Sequence, residues 1–182
     1  MVRGECRSMR LRVAAAAVWL ALVACCLWRW GLSLEALVNV LGCAVVVAVT
    51  VTDLERRIVP NRIVVPALVV ALVVQTARDP SVEWILSALG AGGFFLVLAL
   101  VNPAGLGMGD VKLAAFLGAW LGYAVAIALF AGTLLGAVPA LVILARGGAK
   151  ARTTTLPYVP ALAAGAIFGV FFGDALLDAW LG

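Results

Sequence analysis

The stretch LGCAVVVAVTVTDLERRIVPNRIV, residues 41–64, carries no charge from Leu41 to Thr52 and then sets Asp53, Glu55, Arg56, Arg57 and Arg62 close together. An α-helix needs about 20 predominantly apolar residues to cross a bilayer core of roughly 30 Å. Extended back to Leu34, the apolar run reaches that length, so the charged cluster marks where the chain leaves the membrane. The rest of the chain repeats the pattern. Of its 182 residues, 65% are apolar and 12% charged, and the mean hydropathy is +1.17, the composition of a polytopic membrane protein.

Spans are expected near residues 12–30, 34–52, 63–77, 83–101, 111–121, 123–145 and 158–181. The fifth is short, so residues 111–145 also read as one bent helix, which gives six spans. Gly118 and Gly122, with Trp120 and Tyr123 beside them, read as a turn at a membrane interface, where amphipathic rings settle, and favour seven. The expected fold is an all-α polytopic membrane helix bundle of about seven transmembrane helices. It forms one integral membrane domain, 1–182, with short connections.

In the seven-span arrangement Arg3, Arg7, Arg10, Arg12, Arg56, Arg57, Arg62, Lys112, Arg146, Lys150 and Arg152 fall on one side, and Arg29 and Arg78 on the other. Cytoplasmic loops are enriched in such residues, so the first group is expected in the cytoplasm. A net charge of +4 distributed this way serves topology and attraction to the lipid bilayer. It forms no continuous basic stripe for nucleic acid. The four cysteines, Cys6, Cys25, Cys26 and Cys43, contain no Cys-x-x-Cys pair, and the chain has no histidine. A zinc site is therefore unsupported, and no cofactor is expected. The early arginines and LVAC at 22–25 also fit a lipoprotein signal ending at Cys25, but a plain first span is the better reading in a chain with so many later spans.

Two loops on the basic side carry the chemistry. In TVTDLERRIVPNRIV, residues 50–64, Asp53 lies at the membrane end of the second span, and Pro60 and Asn61 turn the chain into the next helix. Alone, this loop also reads as a charged juxtamembrane cap. In NPAGLGMGDVKLAA, residues 102–115, glycines 105, 107 and 109 precede Asp110. Asp110 can cap the helix that follows. The glycines also allow close approach to another backbone or a bound peptide, which a capping turn does not require. Lys112 can reach toward the headgroups. Taken together, the loops offer two carboxylates at similar depth on one side. Within a few ångströms of each other they cannot both ionise, so they share a proton; one then activates water while the other protonates a scissile carbonyl oxygen.

At these residues the sequence resembles the prepilin peptidases, or type IV leader peptidases, membrane aspartic proteases of the Gly-x-Gly-Asp group. DLERRIVPN, Asp53 to Asn61, resembles the first aspartate segment of that family, and GMGDVK, Gly107 to Lys112, resembles the second. LPYVPALAAG, Leu156 to Gly165, is similar to the proline-bracketed motif before the last span, with Val159 where the family pattern has glycine. The resemblance implies an aspartic endopeptidase with Asp53 and Asp110 as its catalytic pair. It marks Gly107, Gly109, Lys112, Pro60, Asn61, Pro157 and Pro160 as substrate-binding or site-shaping residues. It implies cleavage of the basic leader of pilin-like precursors at the cytoplasmic face of the bacterial inner membrane, just before an apolar helix that stays in the bilayer. Longer members carry a cysteine-paired region linked to N-methylation. Here the first two spans join through a few residues, so no separate methyltransferase domain is expected.

The remaining acids have plainer readings. Asp79, Glu83, Asp174 and Asp178 fall on the far side, and Glu5 and Glu55 lie near arginines that can pair with them. Two other functions fit a helix bundle with charge in its loops. An ion-coupled transporter would use the same aspartates, but it calls for charge near the midplane and a pair of broken, repeated spans. A non-catalytic membrane assembly protein would use small-residue faces such as Gly90, Ala91 and Gly93 for packing, and would not require both aspartates.

Overall fold

The computed structural model describes residues 2–101, 106–147 and 158–181. They form seven α-helices: α1 (Val2–Trp30), α2 (Leu34–Arg56), α3 (Asn61–Arg78), α4 (Glu83–Val101), α5 (Met108–Leu121), α6 (Val125–Gly147) and α7 (Val159–Leu181). A 3-10 turn, Gly122–Ala124, joins α5 to α6. Local signals set the ends. The Ser33 hydroxyl accepts from the Ala36 N–H at 3.1 Å to start α2. Arg57, at φ 53, stops it in the left-handed conformation, its N–H donating to the Asp53 carbonyl.

Six stretches among the described residues are long and apolar enough to cross a membrane, and one of them, Met108–Val138, contains both α5 and most of α6. Packing separates the two. A Cβ on Gly92 would meet the Ala115 Cβ at 2.9 Å, and one on Gly118 would strike the backbone of Ser87 and Ala88. The residue numbers run in opposite senses, so α4 and α5 are antiparallel. Likewise Gly173 faces Ala124, Gly165 faces Ala128 and Gly136 faces Tyr158, so α6 and α7 are antiparallel. Beside Tyr158, the Val159 N–H meets Asp53, at the end where α5 begins. α6 therefore runs back alongside α5, and the reversal falls at Gly122, whose φ of 58 suits a residue without a side chain.

This arrangement corrects the expected role of Gly118. The turn is at Gly122 alone, whereas Gly118 lies inside α5 and lets it touch the backbone of α4. It also explains the short fifth span. Fourteen residues rise about 21 Å, less than a bilayer core. Val111, Leu113, Ala114, Phe116, Leu117 and Ala119 are buried, so α5 is enclosed by other helices and its length is not set by lipid.

Polar groups fasten the end of the bundle opposite Asp53. The Gln75 Nε2 donates to the Trp120 carbonyl at 2.7 Å, Arg78 donates to the Gln75 Oε1 at 2.8 Å, and the Trp120 Nε1 donates to the Asn39 Oδ1 at 3.1 Å. Glu83 accepts from the Tyr123 N–H at 2.9 Å. These bonds tie α2, α3 and α4 to the end of α5, and Gly42 makes room for the Trp120 ring.

Contacts of this kind separate the glycines by function. Gly118→Ala pushes a methyl group against backbone that cannot rotate away, and is expected to destabilise by about 1–3 kcal/mol. Gly93→Ala meets nothing within 4 Å and is expected to be neutral or to stabilise by up to about 1 kcal/mol through helix propensity. Thermal unfolding in detergent distinguishes the two, and equal effects would contradict the α4–α5 contact.

Candidate active site

Asp53 occupies the last turn of α2, and only 7% of its surface is exposed. Its carboxyl group lies against the Val159 N–H at the start of α7. The first N–H groups of a helix have no partner within the helix, so this donor is free to serve a side chain. Pro160 sits in the same first turn, where its missing N–H costs nothing. The second oxygen of Asp53, Oδ2, is buried without a hydrogen-bond partner. Val159 contributes its backbone here while its side chain, 1% exposed, packs in the core. A valine in place of the glycine of the family pattern is thus compatible with the contact.

Asp110 lies in the first turn of α5, three residues after the N-cap Gly107, and its Oδ2 accepts from the Gly107 N–H at 3.1 Å. Asp110 thus caps the helix from inside its first turn, and the N-cap residue is Gly107 and not Asp110 as expected. Asp110 also stands at the Asp53 end of the bundle, within reach of the Asp53 charge. Asp53 is buried and Asp110 half-buried, so the pair opens outward on the Asp110 side.

The two glycines before Asp110 differ. A Cβ on Gly109 would come within 2.6 Å of the Val59 Cβ, in the link between α2 and α3. The close approach expected of this motif is made here, to the loop that follows Asp53. Gly107 has ordinary contacts, the nearest to Asp110 itself at 3.6 Å, and an extended φ of −84. Close approach does not require it to be glycine.

Lys112 does not act as a free headgroup anchor. Its Nζ donates to the Asn61 Oδ1 at 2.9 Å and joins the starts of α5 and α3. Pro60 is the N-cap of α3, and its carbonyl accepts from the Ile63 and Val64 N–H groups. Six of the expected site-shaping positions are thus gathered at one end with both aspartates or beside them. The seventh, Pro157, lies outside the described residues, as do Gly105, Lys150 and Arg152.

The contacts of Val59 with Gly109 and of the Val159 N–H with Asp53 were not legible in the sequence, because they are made through shape and backbone. Glu55 pairs with Arg12, which donates from Nε at 3.0 Å and from Nη2 at 3.2 Å. Glu35, Asp79, Glu83 and Asp174 surround a pocket of about 270 Å³ at the opposite end, by Trp120. Among the described residues, no three His, Cys, Asp or Glu side chains are grouped to hold a metal ion.

The model of the type IV leader peptidase family matches residues 40–141, a segment that holds both Asp53 and Asp110. Three relatives share the name prepilin leader peptidase/N-methyltransferase. That of Bacillus subtilis (strain 168) is 33% identical over 98% of this chain and 75% of its own length. That of Pseudomonas putida is 30% identical over 96% of this chain and 65% of its own. That of Legionella pneumophila is 27% identical over 85% of this chain and 56% of its own. The match thus leaves part of each relative uncovered. No solved structure matches the chain. With the family model covering more than half of its residues, the chain belongs to the type IV leader peptidase family.

Proposed function

We propose that the protein is an aspartic endopeptidase that removes the basic leader from prepilin-like precursors, with Asp53 and Asp110 as its catalytic pair. The observation that carries the reading is the placement of both carboxyl groups at one end of the bundle, Asp110 within reach of the Asp53 charge, with one oxygen of Asp53 buried and unpartnered. A buried polar atom left without a hydrogen bond costs about 1–3 kcal/mol. A shared proton, a water molecule or a substrate group between the two acids removes that cost.

In the proposed cycle, one carboxylate accepts a proton from a water molecule as its oxygen attacks the scissile carbonyl carbon. The other gives the shared proton to the carbonyl oxygen. Collapse of the tetrahedral intermediate breaks the C–N bond, the leaving amine takes a proton, and the pair returns to its singly protonated form. The names of the relatives support prepilin as the substrate. Both acids stand at one end of the bundle and not at mid-depth, which favours cleavage at the membrane face over ion-coupled transport. Arg10, Arg12, Arg56, Arg57 and Arg62 belong to that end, and Arg29 and Arg78 to the other. This bias supports a cytoplasmic site in a bacterial inner membrane. The reading covers leader cleavage and not methyl transfer.

Asp53→Asn and Asp110→Asn are each expected to abolish conversion of a coexpressed precursor while membrane insertion persists, and Asp174→Asn to leave conversion intact. A gel shift of the precursor reads all three. Normal conversion by either of the first two variants rules out the pair.

Gly109 is proposed as a positioning residue. A methyl group there collides with Val59, and a displacement of about 1 Å at a reacting group lowers rates on the order of a hundredfold. Gly109→Ala is expected to lower kcat by that order, with Lys112→Ala costing less than about tenfold. Val59→Gly in the Gly109→Ala background removes the Cβ that the new methyl group meets and is expected to restore most of the loss. Kinetics on detergent-solubilised protein test this, and an unrescued Gly109→Ala would contradict the contact.

A further inference from the structure

The two close-packed pairs of the bundle each hold one side of the aspartate site. In the α4–α5 pair, α5 carries Asp110; in the α6–α7 pair, α7 offers the Val159 N–H to Asp53. The chain joins the pairs through Gly122–Ala124, at the far end. Along their length they touch each other little among the described residues. The two sides of the site therefore need a connection of their own.

Tyr158, the residue before α7, makes that connection. Its ring packs on Phe95 of α4, with 6.3 Å between the ring centroids, and Phe95 is itself fully buried. Its hydroxyl shares a hydrogen bond of 3.0 Å with the Thr133 hydroxyl of α6. Gly136, one turn further along α6, leaves room for the ring, since a Cβ there would stand 3.2 Å from it. The Tyr158 carbonyl accepts from the Ala161 and Leu162 N–H groups at 3.1 and 3.2 Å, which builds its backbone into the first turn of α7.

We infer that Tyr158 is a positioning residue, which docks the first turn of α7 on α4 and so keeps the Val159 N–H and Asp53 in register with Asp110, an inference that rests on the leader-peptidase reading. The first N–H groups of a helix point out of its end, so their aim follows the placement of the first turn. Gly132, packed against Ala161 and Leu162, sets how closely that turn lies on α6. It does not set where the turn lies relative to α4 and α5. The ring of Tyr158 does, because it rests on Phe95. The hydroxyl reaches only α6, to which α7 is already packed, so the ring carries the role.

The test uses the full chain in detergent with one precursor. Tyr158→Ala is expected to lower kcat by about tenfold to a hundredfold, the loss that follows a shift of up to about 1 Å at a reacting group, and to leave KM within about twofold. Tyr158→Phe keeps the ring and is expected to stay within about threefold of the wild type in both. Gly173→Ala strikes the Ala124 Cβ at the other end of the same helix pair. It is expected to lower Tm and leave kcat within about twofold, which separates loss of stability from loss of position. Phe95→Leu removes the face on which the ring rests, and is expected to lower kcat about fivefold in the wild type and little further in Tyr158→Ala. Full kcat in folded Tyr158→Ala, or in Phe95→Leu if Tyr158→Ala does not fold, overturns the inference. So does a kcat of Gly173→Ala that falls with its Tm, or a Tyr158→Phe as poor as Tyr158→Ala, which assigns the role to the hydroxyl. A wild-type chain that leaves the precursor uncut contradicts the leader-peptidase reading itself, and the inference falls with it.

Discussion

Close contact between the backbone of α5 and its neighbours governs this structure. Inside a membrane, apolar side chains do not distinguish protein from lipid, so packing distance decides which helices pair. Gly92 and Gly118 bring α5 onto α4, and Gly109 brings its first turn onto Val59. Asp110 therefore stands where the rigid body of α5 puts it, and its loop adds only the bond from the Gly107 N–H. Asp53 is held from the other side by α2 and by the first free N–H of α7. The pair depends on three helices meeting at one point, with little freedom for any of them.

The two ends of the bundle do different work. Around Trp120, side-chain amides, an indole and carbonyl groups satisfy one another and fasten α2, α3 and α5 together. Around Asp53, one polar atom is left unsatisfied. Unlike the buried Ser87 hydroxyl, which also lacks a partner, the open oxygen of Asp53 lies beside a second acid, Asp110, in the segment that the type IV leader peptidase family model matches.

Much of this was legible in the sequence because length and charge carry it. Apolar runs of bilayer length marked the helices; an acid beside arginines at the end of such a run marked Asp53, and an acid after a glycine-rich loop marked Asp110. What the sequence did not disclose is pairing. α5 is apolar on nearly every side, so hydropathy could not show that it is enclosed, and its brevity looked like a defect of the count. Gly118 resembled turn punctuation because a packing glycine and a turn glycine are the same residue; only Ser87 across the contact tells them apart. Lys112 read as an anchor because its partner, Asn61, is distant in the chain. The Val159 N–H was hidden because backbone groups leave no mark in residue identity.

The central claim is that Asp53 and Asp110 act as one unit, and a double-mutant cycle tests it most directly. Values of kcat/KM for Asp53→Asn, Asp110→Asn and the double variant, taken from long incubations with one precursor, report whether the two losses are shared. The account predicts a double variant no worse than the poorer single variant by more than about threefold, since removing either acid already destroys the proton-sharing pair. Losses that multiply would show two independent carboxylates and contradict the pair as the catalytic unit.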